Sequence, residues 1–567
     1  MAVFTFFNYP TLFVNHRDIA DLPPIIFPRV LSYLSSTEQC LIRRVSQVWH
    51  RTSQSKEALF ELIQSIAICD IDEIIQLKND GFQFPVIQKK FHFKRDETLN
   101  DYLNNTLGAM LNTSRQEAVH FFRSLSPSIK EVIQFLDFSG TCIQDQDLSA
   151  IVPECPNLEY LNLERTLITG AGLTQICDKI KILKLAYCNH IKTEHFKQIF
   201  SRSTNIESLS LTFFNNNALV LQDLDLSNLR TLYLAGNINE QVLRRLLSTT
   251  TELESLFLNF MNITGEAFED FSPSKLITLH LSVLNNLEEE ALQKLLNRSI
   301  ALKNLTLEHS NVTGKVFQDF NSSQLKQLSL FACNQLDEHA LQKLLSKPVD
   351  LHHLHIEDMN ITERALQGLK PSNLITLFLD TLNVKDDGAL QNLLGEASAL
   401  EELTLFSEMA TEKVFYKFTS SQLEVLSLNC PKFNFSDPVM KSIFNKNPEL
   451  NSLMIQEIDV TTTTFQHCRL PNLVGLDLST CRLGKNVLPA LFAQFPKLES
   501  LALSATNITA SDFENLMVRN LKSLDLSDLD SGLDPESLRE FFRRNKSLKR
   551  VCGEDEIVDV FIKVRSE

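Results

Sequence analysis

Leu325-Lys-Gln-Leu328-Ser-Leu330-Phe-Ala-Cys333-Asn334-Gln-Leu336-Asp-Glu-His-Ala-Leu341-Gln-Lys-Leu344-Leu345 carries the pattern on which the rest of the chain is built. Leu328 and Leu330 are two apart, so on an extended strand they point to the same side. Leu341, Leu344 and Leu345 keep the i, i+3, i+4 spacing of a helix face. The stretch predicts a short strand, a turn through Cys333-Asn334 and a returning helix. Its opening pattern, Leu-x-x-Leu-x-Leu, begins at Ile133, Leu158, Ile180, Ile206, Leu229, Leu253, Leu276, Leu302, Leu325, Leu351, Leu374, Leu400, Leu423, Leu450, Leu473, Leu498, Leu521 and Leu548, eighteen times in all. From Ile206 the starts lie 23, 24, 23, 26, 23, 26, 23, 26, 23, 27, 23, 25, 23 and 27 residues apart. The long intervals have room for a full helix. In the short ones, such as 302–324, Val316, Phe317 and Phe320 are the residues expected to plug the core.

A fixed period in the twenties marks a leucine-rich-repeat solenoid, in which no turn buries its own leucines and stacking makes the core. The expected class is α/β, a horseshoe with a parallel sheet on its concave face. The long turns, with Cys-Asn after the strand and an acidic residue opening a Leu-x-x-Leu-Leu helix, resemble the cysteine-containing leucine-rich repeats over roughly residues 129–551. Met261, Leu284, Met359, Leu382 and Pro431 stand elsewhere at the position of Cys333, which breaks an asparagine or cysteine ladder. Cys188, Cys333 and Cys481 are expected to be small buried thiols without a catalytic role. The triplets Asn262-Ile263-Thr264, Asn311-Val312-Thr313, Asn360-Ile361-Thr362 and Asn507-Ile508-Thr509 recur just after the strand. Asparagine is expected to bond open backbone groups in that turn.

The 567 residues carry 54 Lys plus Arg against 70 Asp plus Glu, a net charge of −16, whereas a nucleic-acid partner requires a basic face. The eleven cysteines are scattered with no Cys-x-x-Cys pair, as in a reduced compartment rather than in a disulfide frame or a zinc site. Residues 1–14 are apolar without a basic leader, so no secretory signal is expected. No apolar run approaches the ~20 residues of a membrane span.

Ahead of the repeats stands Asp21-Leu22-Pro23-Pro24-Ile25-Ile26-Phe27-Pro28-Arg29-Val30-Leu31-Ser32-Tyr33-Leu34. It continues Ser35-Ser36-Thr37-Glu38-Gln39-Cys40-Leu41-Ile42-Arg43-Arg44-Val45-Ser46-Gln47-Val48-Trp49. Residue by residue this is a helical hairpin, one helix presenting Ile26, Val30, Leu31 and Leu34 and a second, capped at Ser36 or Thr37, burying Leu41, Val45 and Val48 or Trp49. The ordered set Leu-Pro, paired aliphatics, Leu, and Val-Ser-x-x-Trp resembles the F-box. The single tryptophan of the chain falls at that family's most recognisable position. The resemblance implies docking onto a Skp-type adaptor of cullin-based ubiquitin ligases through Leu22, Pro23, Ile26, Val30, Leu31, Leu34, Leu41, Val45 and Trp49. It departs from the family at Ile25, where glutamate is usual, and at Pro28, which fits the first helical position if the helix starts near Phe27.

The expected organisation is a tail at 1–17, an F-box-like domain at 18–60, a helical spacer at 61–128 and a solenoid of about eighteen repeats at 129–567. Within the spacer, 57–78 and 97–124 have helical periodicity, interrupted at Gly81-Phe82-Gln83-Phe84-Pro85. The pairing of F-box and repeats implies a non-catalytic substrate receptor of an SCF-type ligase, cytoplasmic or nuclear, or acting in a host cytosol if it is a bacterial mimic. The alternative is a scaffold or inhibitor-like interaction module whose front helices only cap the solenoid.

No catalytic set, cofactor loop or metal site emerges. His352, His353, His355 and Glu357 offer imidazoles and a carboxylate, but no third spaced ligand, and fit a solvated strand as well. Outward positions of the strands collect Tyr233, Phe257, His280, Glu308, Phe331, His353, His355, Glu357, Phe378, Asp380, Glu402 and Phe406. Later strands carry mostly small residues: Ser452, Ser479, Ser500, Ala502, Ser504, Ser523 and Ser527. The aromatics read either as target anchors or as the residues that β-structure collects.

Overall fold

The computed structural model describes residues 107–566 apart from 108–109, 113, 126, 177, 203–204, 214–220, 222–225, 381, 434–437, 515 and 530–533. The tail, the F-box-like segment and the spacer up to 106 lie outside the described residues. So do all nine adaptor residues: Leu22, Pro23, Ile26, Val30, Leu31, Leu34, Leu41, Val45 and Trp49.

The chain divides into two compact units, one ending at Val242 and one starting at Leu243. In the first, helix Arg115–Ser124 lies within the periodic stretch 97–124 and buries Ala118 and Phe122. Five parallel strands follow: Phe135–Asp137, Tyr160–Asn162, Ile182–Leu185, Ser208–Phe213 and Thr231–Gly236. The second unit carries thirteen parallel strands of one sheet, from Ser255–Asn259 to Arg550–Cys552. Five and thirteen give one strand for each copy of the leucine pattern. Register follows the leucines: Leu305 pairs with Leu328, Leu328 with Leu354, and Leu354 with Leu377. The fold is a leucine-rich-repeat solenoid with a parallel sheet.

Return segments alternate as the intervals require. Long turns carry α-helices, among them Glu289–Arg298, Glu338–Leu345 and Asp387–Glu396. Short turns carry 3₁₀ segments, among them Gly314–Phe317, Glu363–Leu366 and Glu412–Phe415. A 3₁₀ turn rises more per residue than an α-helix, so fewer residues cross the same width. The core is made from both kinds. Leu328, Leu330, Leu341, Leu344 and Leu345 are buried, and so are Val316, Phe317 and Phe320. Each buried leucine contributes about 1.5–3 kcal/mol relative to exposure.

The strand exits are strained in a regular way. Two residues after the last leucine of the pattern the backbone turns left-handed at Arg165, Tyr187, Phe260, Val283, His309, Ala332, Asp358, Glu457, Thr480, Ala505 and Asp528. Only Gly140 and Gly236 meet this demand with glycine. The turn aims that residue's N–H at the neighbouring turn, as in His309 to Phe331 O and Ala332 to Glu357 O, 2.9 and 3.0 Å. At those turns the N–H bond offsets a left-handed conformation that costs roughly 1–2 kcal/mol for a side-chain-bearing residue.

Just beyond sit the thiols, buried as expected. Cys188, Cys333 and Cys481 donate to the carbonyls of Leu163, Leu307 and Ile455 in the preceding turns. Burial pushes the Cys333 and Cys481 thiols up to about 11, which leaves them protonated at neutral pH. One assignment needs correction. Pro431 does not occupy the buried position of its turn; Cys430 does, bonding Leu405 O at 3.3 Å, with its thiol raised by burial to about 12. That turn exits without a left-handed residue, so its inward position comes one residue sooner.

The Asn-x-Thr reading also needs correction. Among the four asparagines only Asn507 bonds backbone, accepting from Leu483 N and donating to Leu483 O. Asn262 instead accepts from the Asn286 side chain. Threonine does more of the turn chemistry: Thr313 and Thr362 cap their 3₁₀ segments. Their N–H groups donate to Glu289 and Glu338 at the start of the preceding helix, at 2.7 and 2.6 Å. Thr411 with Asp387 and Thr169 with Asp145 repeat the device.

After the last strand, helix Asp555–Ser566 buries Ile557, Val560, Phe561 and Val564, with the Phe561 ring 5.4 Å from that of Phe542. It covers the final turn, which would otherwise expose its leucines. The sequence pattern had not revealed this cap.

Candidate docking face

Side chains at the third, fifth and seventh positions of each pattern stand on the sheet face opposite the leucines, because a strand alternates sides. On strand His353–Glu357, Leu354 and Ile356 are buried while His353 is exposed and His355 and Glu357 are half-buried. The same alternation runs through strands Asn304–Glu308, Gln327–Phe331 and Glu402–Phe406.

In the second unit the register gathers most of the expected residues. Phe257 pairs with His280. Glu308 pairs with Phe331, and Phe331 with Glu357. His355 pairs with Phe378. The rings meet: Phe257 and His280 lie 5.8 Å apart, His355 stacks on Phe378 at 4.0 Å, and Phe378 is 6.1 Å from Phe406. His309, not among the expected residues, packs edge-on against Phe331 at 4.6 Å. Only its left-handed backbone brings it there, and a strand period has no place for it. Asp380 follows strand Thr376–Leu379 and is half-buried. Tyr233 lies in the first unit, half-buried beside Ser210.

These rings are half-buried rather than free, because each rests on a neighbour one strand away. Glu308 lies 3.5 Å from His280, and Glu357 lies 2.6 Å from His355. Burial lowers the His280 pKa, only partly opposed by Glu308, so at neutral pH its imidazole is uncharged and leaves the carboxylate charge unbalanced. Glu402 accepts from Thr376 Oγ1 at 3.4 Å.

The histidine run does not converge. His352 turns to Asp350 at 3.3 Å while His355 turns to Glu357. Among the described residues no three histidine, cysteine or carboxylate side chains are placed to hold a metal ion. No helix among them is long and apolar enough to cross a membrane.

No protein-family model and no curated protein matches the chain. Among solved structures it is similar to a chain of the yeast Rad7 and Elc1 complex, at 17% identity over 77% of this chain and 94% of that one, with a TM-score of 0.39. It is also similar to a chain of the TLR13–ssRNA13 complex, at 19% identity over 74% and 73%, with a TM-score of 0.42. A third likeness is to the internalin inlF of Listeria monocytogenes, at 18% identity over 70% and 96%, with a TM-score of 0.31.

Proposed function

We propose that this chain is a substrate receptor of an SCF-type ubiquitin ligase, acting in the cytoplasm or nucleus, or in a host cytosol if a bacterium supplies it. The reading rests on one observation, the ordered F-box-like set from Leu22 to Trp49 ahead of a solenoid with an aromatic sheet face. In this role Leu22, Pro23, Ile26, Val30, Leu31, Leu34, Leu41, Val45 and Trp49 hold the Skp-type adaptor and, through it, the cullin. Phe257, His280, Phe331, His353, His355, Phe378 and Phe406 of the second unit hold the target; Tyr233 belongs to the first unit. The chain performs no chemistry itself. It raises the effective concentration of the target near a ubiquitin-charged enzyme bound elsewhere in the assembly.

A second reading has its own support. The C-terminal helix caps the array at that end, so the front helices of a scaffold or inhibitor module would serve as a cap in the same way. Capture of purified Skp-type adaptor by the full chain separates the two. The receptor reading expects micromolar or tighter binding, abolished by Leu22→Ala with Pro23→Ala while the thermal transition of the repeats stays in place. No binding by the wild-type chain, or adaptor capture retained by the folded double variant, sinks it in favour of the cap.

A further inference from the structure

The outward residues of the second unit's strands are lopsided in charge. Within the thirteen strands they include Glu308, Glu357, Glu402, Asp477 and Asp525, against a single guanidinium, Arg550, and no lysine. Asp477 and Asp525 are used locally, accepting from the N–H groups of Ser479 and Ser527 in their own turns. Glu308 and Glu357 stand instead in the row of Phe331, beside His280 and His355, while Glu402 stands between Thr376 and Val425. Lys303 and Lys326 lie at the entry edge of their strands, outside the outward rows, and Lys326 pairs with Asp350 at 3.4 Å.

The register makes this arrangement specific. Glu308, Phe331 and Glu357 are consecutive partners in one row across three adjacent strands. Parallel strands are about 4.8 Å apart, so the carboxylates flank the ring from about 10 Å apart. His309 holds the ring edge-on. The nearest imidazole to Glu308, that of His280, is uncharged at neutral pH. An aromatic face attracts a cation, and a carboxylate on each side adds to that attraction. Guanidinium suits the site best, because its plane stacks on a ring while its N–H fork meets carboxylates.

We propose that the face between strands Asn304–Glu308 and Glu402–Phe406 seats an arginine-bearing segment of the partner protein, with one guanidinium over Phe331 between Glu308 and Glu357. This assigns a chemistry to the target and rests on the docking role proposed above. Acidic and purely apolar segments are disfavoured, the first by like charge and the second by burying carboxylates without partners.

The test uses the full chain and a fluorescein-labelled peptide of alternating glycine and arginine, with its citrulline and glutamate counterparts, read by anisotropy at low and at high salt. Citrulline keeps the shape and loses the charge. The arginine peptide should bind about tenfold more tightly than citrulline, a difference of ~1.4 kcal/mol, and should weaken with salt. The triple variant Glu308→Gln, Glu357→Gln, Glu402→Gln should lose about that same tenfold. A control with the same change in net charge, Asp319→Asn, Glu396→Gln, Glu514→Gln, should bind as wild type does. Phe331→Leu should weaken the arginine peptide and leave citrulline unaffected.

Equal binding of arginine and citrulline peptides, preference for the glutamate peptide, or an equal loss in the control would overturn the proposal. Thermal melting of each variant checks that it is folded. Adaptor capture on the same preparations keeps the two proposals apart. Failure there with arginine binding intact removes the ligase role and leaves the cation seat, and the reverse result does the opposite.

Discussion

Strands 304–406 and strands 452–527 share one leucine register and differ most on the face opposite the leucines. Leu305, Leu328 and Leu354 are as deeply buried as Leu453, Leu476 and Leu501. Outward, the first group shows Glu308, Phe331, His355, Glu357, Phe378 and Phe406, while the second shows no ring and mostly small residues, Ser452, Ser479, Ser500, Ala502 and Ser523, with Met454, Gln456, Asp477 and Asp525 between them. The leucines decide the fold, and the open face is left for other uses. Rings confined to one stretch are therefore hard to explain by strand propensity alone, which would act on both groups alike.

The largest effect should be the same in both regions. Leu328→Ala and Leu476→Ala each empty an inward position and should cost about 2–5 kcal/mol in chemical denaturation. A clear difference between them would mean that the two stretches do not have equivalent cores.

Outward changes should separate the regions. Phe257→Ala, Phe331→Ala and Phe378→Ala together should abolish target capture. They should also cost a measurable ~0.5–1.5 kcal/mol for each ring pair lost, since the rings rest on neighbours. Ser479→Ala with Ser500→Ala should change neither capture nor melting. Capture that survives the triple substitution would move the docking face elsewhere.

A smaller difference should appear with pH. His280 has a lowered pKa through burial, opposed by Glu308, so the unfolded chain binds its proton more tightly than the folded one. Its contribution to stability is complete above the unfolded value near 6.5. It falls as pH drops from there towards the folded value. His280→Asn should flatten stability against pH in that window, as followed by urea denaturation. No change in slope would mean that the imidazole is not held neutral.

The smallest expected effect lies in the exits. Val283→Gly, at φ 53°, should be neutral or stabilising by up to about 1 kcal/mol, because a β-branched residue is poorly suited to a left-handed turn. Ala505→Gly, at φ 52°, should gain less. Differential scanning calorimetry of the two variants ranks them.

The repeat, the strand count and the alternation of return segments were all legible, because leucine spacing reports directly on burial. Val316, Phe317 and Phe320 were found in the core for that reason. The exits were not legible. Arg165, Val283 and Thr480 share a left-handed backbone that no residue type announces, and glycine marks it only at positions 140 and 236. The Pro431 misassignment and the absence of His309 from the expected face both follow from this. The half-burial of Phe378 was equally hidden, since it depends on His355 in a different turn, 4.0 Å away. The cap at Asp555–Ser566 was hidden because it is a single helix outside the period.

The alternation of helical and 3₁₀ return segments also fixes how such an array can grow or shrink. Removing a single turn would set two helices, or two 3₁₀ segments, side by side, and acid–threonine contacts such as those of Glu289, Glu338 and Asp387 would lose a partner. Removing 302–350, one long and one short turn together, brings Leu351 to the place of Leu302 and restores every junction. Duplication and loss in this protein should therefore proceed by twos, so that the reach of its face changes in steps of two strands.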